Sequence, residues 1–203
     1  MIPVLDIQRL RFGIDGPGVR TLIGLAGCSL RCRYCLNPHA WNGSEEITCY
    51  SPEQLYARVR TDNLYFLTTG GGLTFGGGEP LLHMKEIAAF AELCPGGWSL
   101  WAETSLAVPW EQVALAARVF DHFLVDIKTT DPEIYRTYTG GDPELALGNL
   151  RQLLSLAGPE RVTVRLPEIP GFTTREHLQD SETVLRATGV RDIDYLVYEK
   201  DVE

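Results

Sequence analysis

The sequence predicts a parallel α/β fold, on three observations. Segments with strand character alternate with segments of helical periodicity about six times along the 203 residues, the pattern of βα units sharing one sheet. The glycine-rich and polar clusters fall after the strands: the Cys28 to Cys35 run, Gly77-Gly78-Glu79, Glu103-Thr104-Ser105, Asp126-Ile127-Lys128, and Arg165 onward. In parallel barrels the chemistry gathers at the C-terminal ends of the strands, and an open, doubly wound sheet obeys the same rule, so the pattern is common to both. Finally, no shift in composition, linker, repeat or low-complexity segment divides the chain, which reads as one domain over residues 1–203.

Each element has a local reason. Ile7 to Phe12 alternates as a short strand and runs into Gly13-Ile14-Asp15-Gly16-Pro17-Gly18, a tight loop. Arg20 to Ala26 reads as a buried strand that ends at Gly27-Cys28. Ser51-Pro52-Glu53 opens a helix through about Arg60, with serine as N-cap and proline in the first turn. Leu73 to Phe75 is a strand running into Gly76 to Pro80, and Leu82 to Leu93 is helical. Trp98 to Ala102 is a strand, Pro109 to Val119 a helix, and Phe123 to Val125 another buried strand. Asp131-Pro132-Glu133 caps a short helix that Gly140 to Pro143 breaks, and Glu144 to Ala157 is the next. Arg161 to Leu166 is a strand that turns at Pro167 to Gly171, Thr174 to Thr188 is a helix, and Ile193 to Tyr198 is the last strand.

Composition narrows the class. With 44% hydrophobic residues the chain is globular and long enough for a substantial core. No stretch approaches the roughly 18 apolar residues of a membrane span, and Met1 to Leu10 lacks the basic start and apolar run of a signal peptide. The expectation is a cytoplasmic protein with no membrane association. A formal charge of −9 argues against general nucleic-acid binding, which needs phosphate neutralisation. Five cysteines, odd in number and clustered, do not make a disulfide scaffold. Cys49 and Cys94 stand apart and read as small, buried or half-buried side chains. Arg20, Arg31 and Arg33 flank the cysteine run, with no acid between Asp15 and Glu45. Positive charge there favours thiolates.

The run Cys28-Ser29-Leu30-Arg31-Cys32-Arg33-Tyr34-Cys35 carries the strongest chemical signal. Two cysteines separated by two residues make a redox pair or half a zinc site. Three on so short a loop, with no fourth ligand nearby, suit an iron–sulfur cluster with one iron left open. A zinc or purely structural cluster is the competing reading.

The Cys28-x3-Cys32-x2-Cys35 spacing, with an aromatic before the third cysteine, resembles the radical S-adenosylmethionine (SAM) superfamily. Gly77-Gly78-Glu79-Pro80 is similar to that superfamily's second motif. Within it the chain most resembles glycyl-radical-enzyme activating enzymes of the pyruvate formate-lyase activase type. The match is carried by Asp15-Gly16-Pro17-Gly18-Val19-Arg20, by Asp126-Ile127-Lys128, and by Arg165 with Ile169-Pro170-Gly171, and it runs from about Leu10 to Tyr198. The resemblance implies a partial (β/α)6 barrel of radical SAM type with its cluster loop at 27–36. It implies an anaerobic oxidoreductase that reductively cleaves SAM to a 5′-deoxyadenosyl radical and takes a hydrogen from a backbone glycine of a partner enzyme.

The roles that follow from the resemblance are these. Cys28, Cys32 and Cys35 hold a [4Fe-4S] cluster and form the catalytic centre. Gly77, Gly78 and Glu79 receive the methionine ammonium of SAM, and Tyr34 and Ile169 lie against its adenine. Glu103, Asp126, Lys128 and Arg165 receive its ribose, its carboxylate or an accompanying cation. Asp15, Gly16 and Gly18 recognise the protein substrate. Flavodoxin or ferredoxin supplies the electron, and the chain acts as a monomer. The sequence departs from the family in three places. Glu103-Thr104-Ser105 stands where Asp-Thr-Asn is expected. Tyr198 is followed by Glu199 where relatives carry histidine, and the chain stops at Glu203. No ferredoxin-like insert is present, so one cluster is expected. A small-molecule radical SAM enzyme similar to 7-carboxy-7-deazaguanine synthase is the alternative, but such enzymes carry threonine after the third cysteine where Leu36-Asn37 stands here. A non-catalytic iron–sulfur or zinc protein is the remaining class.

Overall fold

The computed structural model describes residues 1–43 and 46–197. It opens with β1 (Ile2–Phe12), which turns through the glycine loop and pairs antiparallel with β2 (Val19–Leu25). The cysteine loop follows, then a single turn α1 (His39–Asn42) and β3 (Thr48–Tyr50), antiparallel to the outer side of β1. From there helices and strands alternate: α2 (Pro52–Val59), α3 (Asn63–Thr69), β4 (Gly72–Gly77), α4 (Met84–Ala91), β5 (Ser99–Thr104), α5 (Trp110–Val119) and β6 (His122–Asp126). The chain continues through α6 (Pro132–Thr139), α7 (Pro143–Ala157), β7 (Val162–Glu168), α8 (Arg175–Ala187) and β8 (Asp192–Val197).

The sheet order is β3-β1-β2-β4-β5-β6-β7-β8, and every pairing from β2 to β8 is parallel. This order decides between the two architectures that the sequence leaves open. A doubly wound sheet needs a point where strand order reverses and the helices change face. Here the parallel strands succeed one another without reversal, so right-handed crossovers place their helices on one side. The sheet curls into a partial (β/α)6 barrel.

Strand alternation sorts the side chains between the two faces. Leu73 and Phe75, Leu100 and Ala102, Phe123 and Val125, and Val162 and Val164 face the helices and pack with Val113, Ala116, Leu150 and Leu153. Leu22, Glu103, Asp126, Arg165 and Leu196 face the barrel interior, where they line a common cavity. The helices start where predicted because their caps are local. Ser51 and Gln54 form a capping box, Asp131 accepts from the backbone of Glu133 and Ile134, and Asp142 accepts from Glu144.

Several expectations are corrected. The first strand begins at Ile2 rather than Ile7, and both it and the short β3 run antiparallel to their partners. Three residues are too few for β3 to show alternation, and α3 joins the fold unforeseen, ending at Gly70 in a left-handed conformation. Cys49 is exposed on β3 at the sheet edge rather than buried, whereas Cys94 is half-buried. The Tyr198-Glu199 step lies outside the described residues. No helix among the described residues is long and apolar enough to cross a membrane.

Candidate active site

The cysteine loop leaves β2 and is tied down by backbone bonds to the end of α6: Arg31 N donates to Thr139 O at 2.8 Å and Arg33 N to Tyr138 O at 3.0 Å. Arg31 Nη1 donates to the carbonyls of Cys28 and Leu30, both at 2.7 Å, while its guanidinium lies 5.1 Å over the Trp41 ring. All three thiols face one cavity of about 390 Å³, within the usual range for ligand pockets. Burial pushes the Cys28 thiol up and the Cys32 thiol up to about 11, with nearby Lys128 opposing the shift at Cys32. Among the described residues no three His, Cys, Asp or Glu side chains are disposed to hold a single metal ion.

The Gly77-Gly78-Glu79 turn is zipped to the root of this loop. Gly78 N donates to Leu25 O at 2.9 Å and Glu79 N to Gly27 O at 2.7 Å. A Cβ on Gly78 would collide with the carbonyl of Gly27 and lie 2.6 Å from that of Leu25, so only glycine allows the approach. Glu79 is fully buried, and both its oxygens are engaged. Oε1 accepts from Thr104 Oγ1 at 2.7 Å and Leu81 N at 3.2 Å; Oε2 accepts from Ser105 Oγ at 2.7 Å and Ser105 N at 2.9 Å. The carboxylate holds Thr104 and Ser105 against the glycine turn, while Glu79 also lines the cavity. Glu79→Ala is expected to strand these buried donors and cost about 2–4 kcal/mol in urea unfolding. A loss below about 1 kcal/mol contradicts this.

Beside that turn, the ends of β5, β6 and β7 bring two acids and two bases together. Arg165 Nη1 meets Glu103 Oε1 at 2.8 Å, Arg165 Nε meets Asp126 Oδ1 at 2.6 Å, and Lys128 Nζ meets Asp126 Oδ2 at 3.1 Å. Burial alone would push Asp126 up, but Lys128 and Arg165 outweigh it and hold the carboxyl at about 2. Glu103 is raised by burial despite Arg165. Arg165 stays raised because its two acids overcome its own desolvation. Part of its fork is thus already committed to Glu103 and Asp126.

Asp15, also on the cavity wall, is buried and held by Arg11 through both carboxylate oxygens. Its backbone carbonyl accepts from Thr74 Oγ1 at 2.9 Å, and Thr74 in turn accepts from Arg20 Nε at 2.7 Å. Arg20 therefore does not flank the cysteines. Eight residues of extended chain span roughly 25 Å, and Arg20 lies at the far end of β2, buried over Trp101 at 4.8 Å. Burial lowers it to about 10. Gly16 (φ +126) packs on Trp101 and Gly18 (φ +69) against Thr69 O and Gly71, so both shape the loop and neither lines the cavity.

The profile of the Radical SAM superfamily matches residues 22–183, most of the chain. The chain belongs to the radical SAM superfamily. Among curated relatives it is similar to the pyruvate formate-lyase 2-activating enzyme of Escherichia coli K12, with 31% identity over 96% of this chain and 76% of the relative. It is also similar to the (2S)-3-sulfopropanediol dehydratase activating enzyme of Klebsiella oxytoca, with 28% identity over 82% and 71%. Its fold matches that of Streptococcus suis SuiB bound to S-adenosylmethionine, with a TM-score of 0.66 at 12% identity over 86% of this chain. The chain spans only 39% of that solved chain.

Radical SAM proteins use a [4Fe-4S] cluster and SAM, and the cavity fits both. A cluster offers its protein ligands separate corners, which suits three cysteines that line the same cavity. Lys128 and Arg165 supply cationic donors for a carboxylate. Tyr34 lines the cavity while packing edge-on to Tyr138 and Phe172, at 6.1 and 5.7 Å between ring centroids. Ile169 does not line it. Its backbone is folded into the turn by Thr173 Oγ1, at 2.7 Å from Ile169 N, and the side chain is fully buried. Gln8 and Arg11 line the cavity without having been foreseen. They are three apart on β1, yet share a face because a register shift and Leu10 at φ 58 interrupt the alternation.

Proposed function

We propose that this radical SAM chain is an activating enzyme that takes a hydrogen from a backbone glycine of a partner glycyl radical enzyme. The observation that carries the reading is that the three cysteines, the glycine turn, the Glu103–Arg165–Asp126–Lys128 group and Asp15 all line one cavity. The names of the curated relatives, both activating enzymes, support the substrate class. When bound, cluster and SAM supply one-electron cleavage of the sulfonium and hydrogen-atom abstraction.

The chain's own residues do the rest. Cys28, Cys32 and Cys35 hold the cluster as thiolates. The Gly77-Gly78 backbone accepts from the SAM ammonium, and Arg165 and Lys128 attract its carboxylate while Glu103 and Asp126 hold those cations in place. Asp15, held by Arg11 on the cavity wall, receives the glycine-bearing segment of the partner. The electron comes from a flavodoxin or ferredoxin, and the chain works as a monomer in the cytoplasm.

The test is anaerobic reconstitution, which should give an absorption band near about 400 nm. Dithionite and SAM should then yield 5′-deoxyadenosine, and electron paramagnetic resonance should detect a glycyl radical on the cognate partner. Absence of 5′-deoxyadenosine overturns the enzymatic reading. Turnover with a small molecule and none with glycyl radical enzymes overturns the activase reading. Asp15→Asn is expected to retain cleavage without partner but to lower partner activation by roughly tenfold or more, the loss from one charged hydrogen bond. Unchanged activation removes Asp15 from substrate recognition.

A further inference from the structure

The glycines after β4 do not share one purpose. Gly77 adopts φ +82 and Gly78 is pressed against the Gly27 carbonyl, so both are required by backbone. Gly76 is not among the residues of positive φ, and no backbone atom is among the nearest neighbours of a Cβ built there. Those neighbours all belong to Glu103: Oε2 at 2.6 Å, the carboxyl carbon at 3.2 Å and Cβ at 3.3 Å. Phe75 pairs with Ala102, so Gly76 and Glu103 are the next residues along the two strands. The space that a side chain would take at 76 is filled by the carboxylate of its neighbour.

The adjoining strand repeats the device. Gly24 pairs with Gly76 across β2 and β4, and a Cβ on Gly24 would strike Asp6 Oδ1. Two facing glycines on the inner wall therefore leave a shelf on which two carboxylates lie. Glu103 uses its place there to reach Arg165, with Oε1 at 2.8 Å from Nη1.

We propose that Gly76 is a positioning residue matched to the length of Glu103. Its missing side chain seats the longer carboxylate, which then orients Arg165 towards the cavity. A side chain at 76 displaces the Glu103 carboxylate and takes from Arg165 one of its two acids, leaving Asp126 on Nε, whereas an aspartate at 103 withdraws the carboxylate from that space. The consequence for SAM rests on the cofactor reading of the cavity; the steric match does not.

The experiment is a double-mutant cycle with Gly76→Ser and Glu103→Asp, read by thermal unfolding of the cluster-free protein and by SAM binding to the reconstituted protein. Gly76→Ser alone is expected to lower the unfolding midpoint and weaken SAM binding about tenfold. In the Glu103→Asp background the same substitution is expected to lower the midpoint clearly less, since only the Cβ of residue 103, at 3.3 Å, still crowds the new side chain, and to alter binding less than about twofold. Gly76→Ala provides the same cycle if the serine variant does not fold. Equal cost of the substitution in both backgrounds overturns the match. If the unsubstituted, reconstituted protein does not bind SAM, the cofactor reading fails, and the unfolding cycle still decides whether Gly76 and Glu103 are matched.

Discussion

Cys32→Ala is expected to yield a folded protein that assembles no cluster and forms no 5′-deoxyadenosine. The fold survives because the loop is held by bonds that do not involve the thiol. Arg31 N and Arg33 N, on either side of Cys32, donate to the last carbonyls of α6, and the Arg31 side chain braces the carbonyls of Cys28 and Leu30. Unfolding of the cluster-free variant should therefore stay within about 1 kcal/mol of the parent. Cluster binding fails because two thiolates leave a second iron without its protein ligand. In the cluster-free protein Cys32 is shifted up to about 11 by burial, so its proton must leave when iron binds, and assembly should release protons and improve as pH rises. Iron content and the visible absorption band check the loss. Cys94→Ala, which changes a half-buried thiol beside Phe90 O, should retain both. A Cys32→Ala protein that keeps its full iron content and absorption removes Cys32 from the ligand set.

The parts of the site that sequence discloses are those set by local chemistry. Three thiols on a short loop and a glycine turn after the next parallel strand are visible without a fold, and the βα alternation places them at one end of a sheet. What escapes is set by distant partners. Leu10 carries no mark of the left-handed conformation that turns Arg11 inward, so the Arg11–Asp15 pair is invisible until β1 is paired with β2. Arg20 looks adjacent to the cysteines in a linear reading, but extended chain carries it to the other end of the barrel. Glu79 stands in a ligand motif, and only the fold reveals that Thr104 and Ser105 have already claimed its carboxylate. Ile169 is fully buried in a turn that the Thr173 hydroxyl closes, a placement its position in the sequence does not disclose. Gly76 has the same character, since its requirement comes from Glu103 on the next strand.

Arg165→Met should have the second large effect, and its signature is a loss of stability that widens as pH rises. Arg165 is the cation between Glu103 and Asp126, and its removal leaves Lys128 as the ion-pair partner of Asp126 and takes away that of Glu103. Breaking a largely buried pair from one side costs about 3–5 kcal/mol at neutral pH. In the parent protein Asp126 is held at about 2, below its ordinary 3.8, so its contribution to stability is fully present above that ordinary value and is lost only as pH falls through about 2. In the variant Asp126 keeps Lys128, but the burial of Glu103 is no longer opposed by Arg165 and its carboxyl moves further up. Its folded form then holds a proton that the unfolded chain releases, so the added instability grows as pH rises from the ordinary carboxylate range towards neutrality. Urea unfolding of both cluster-free proteins across that range measures the difference, which should widen with pH. A pH-independent difference would mean that Arg165 serves only as packing. Glu103→Gln in the Arg165→Met background should recover part of the loss, because it removes the carboxylate left unpaired, while SAM binding stays weak in both because the cation itself is gone.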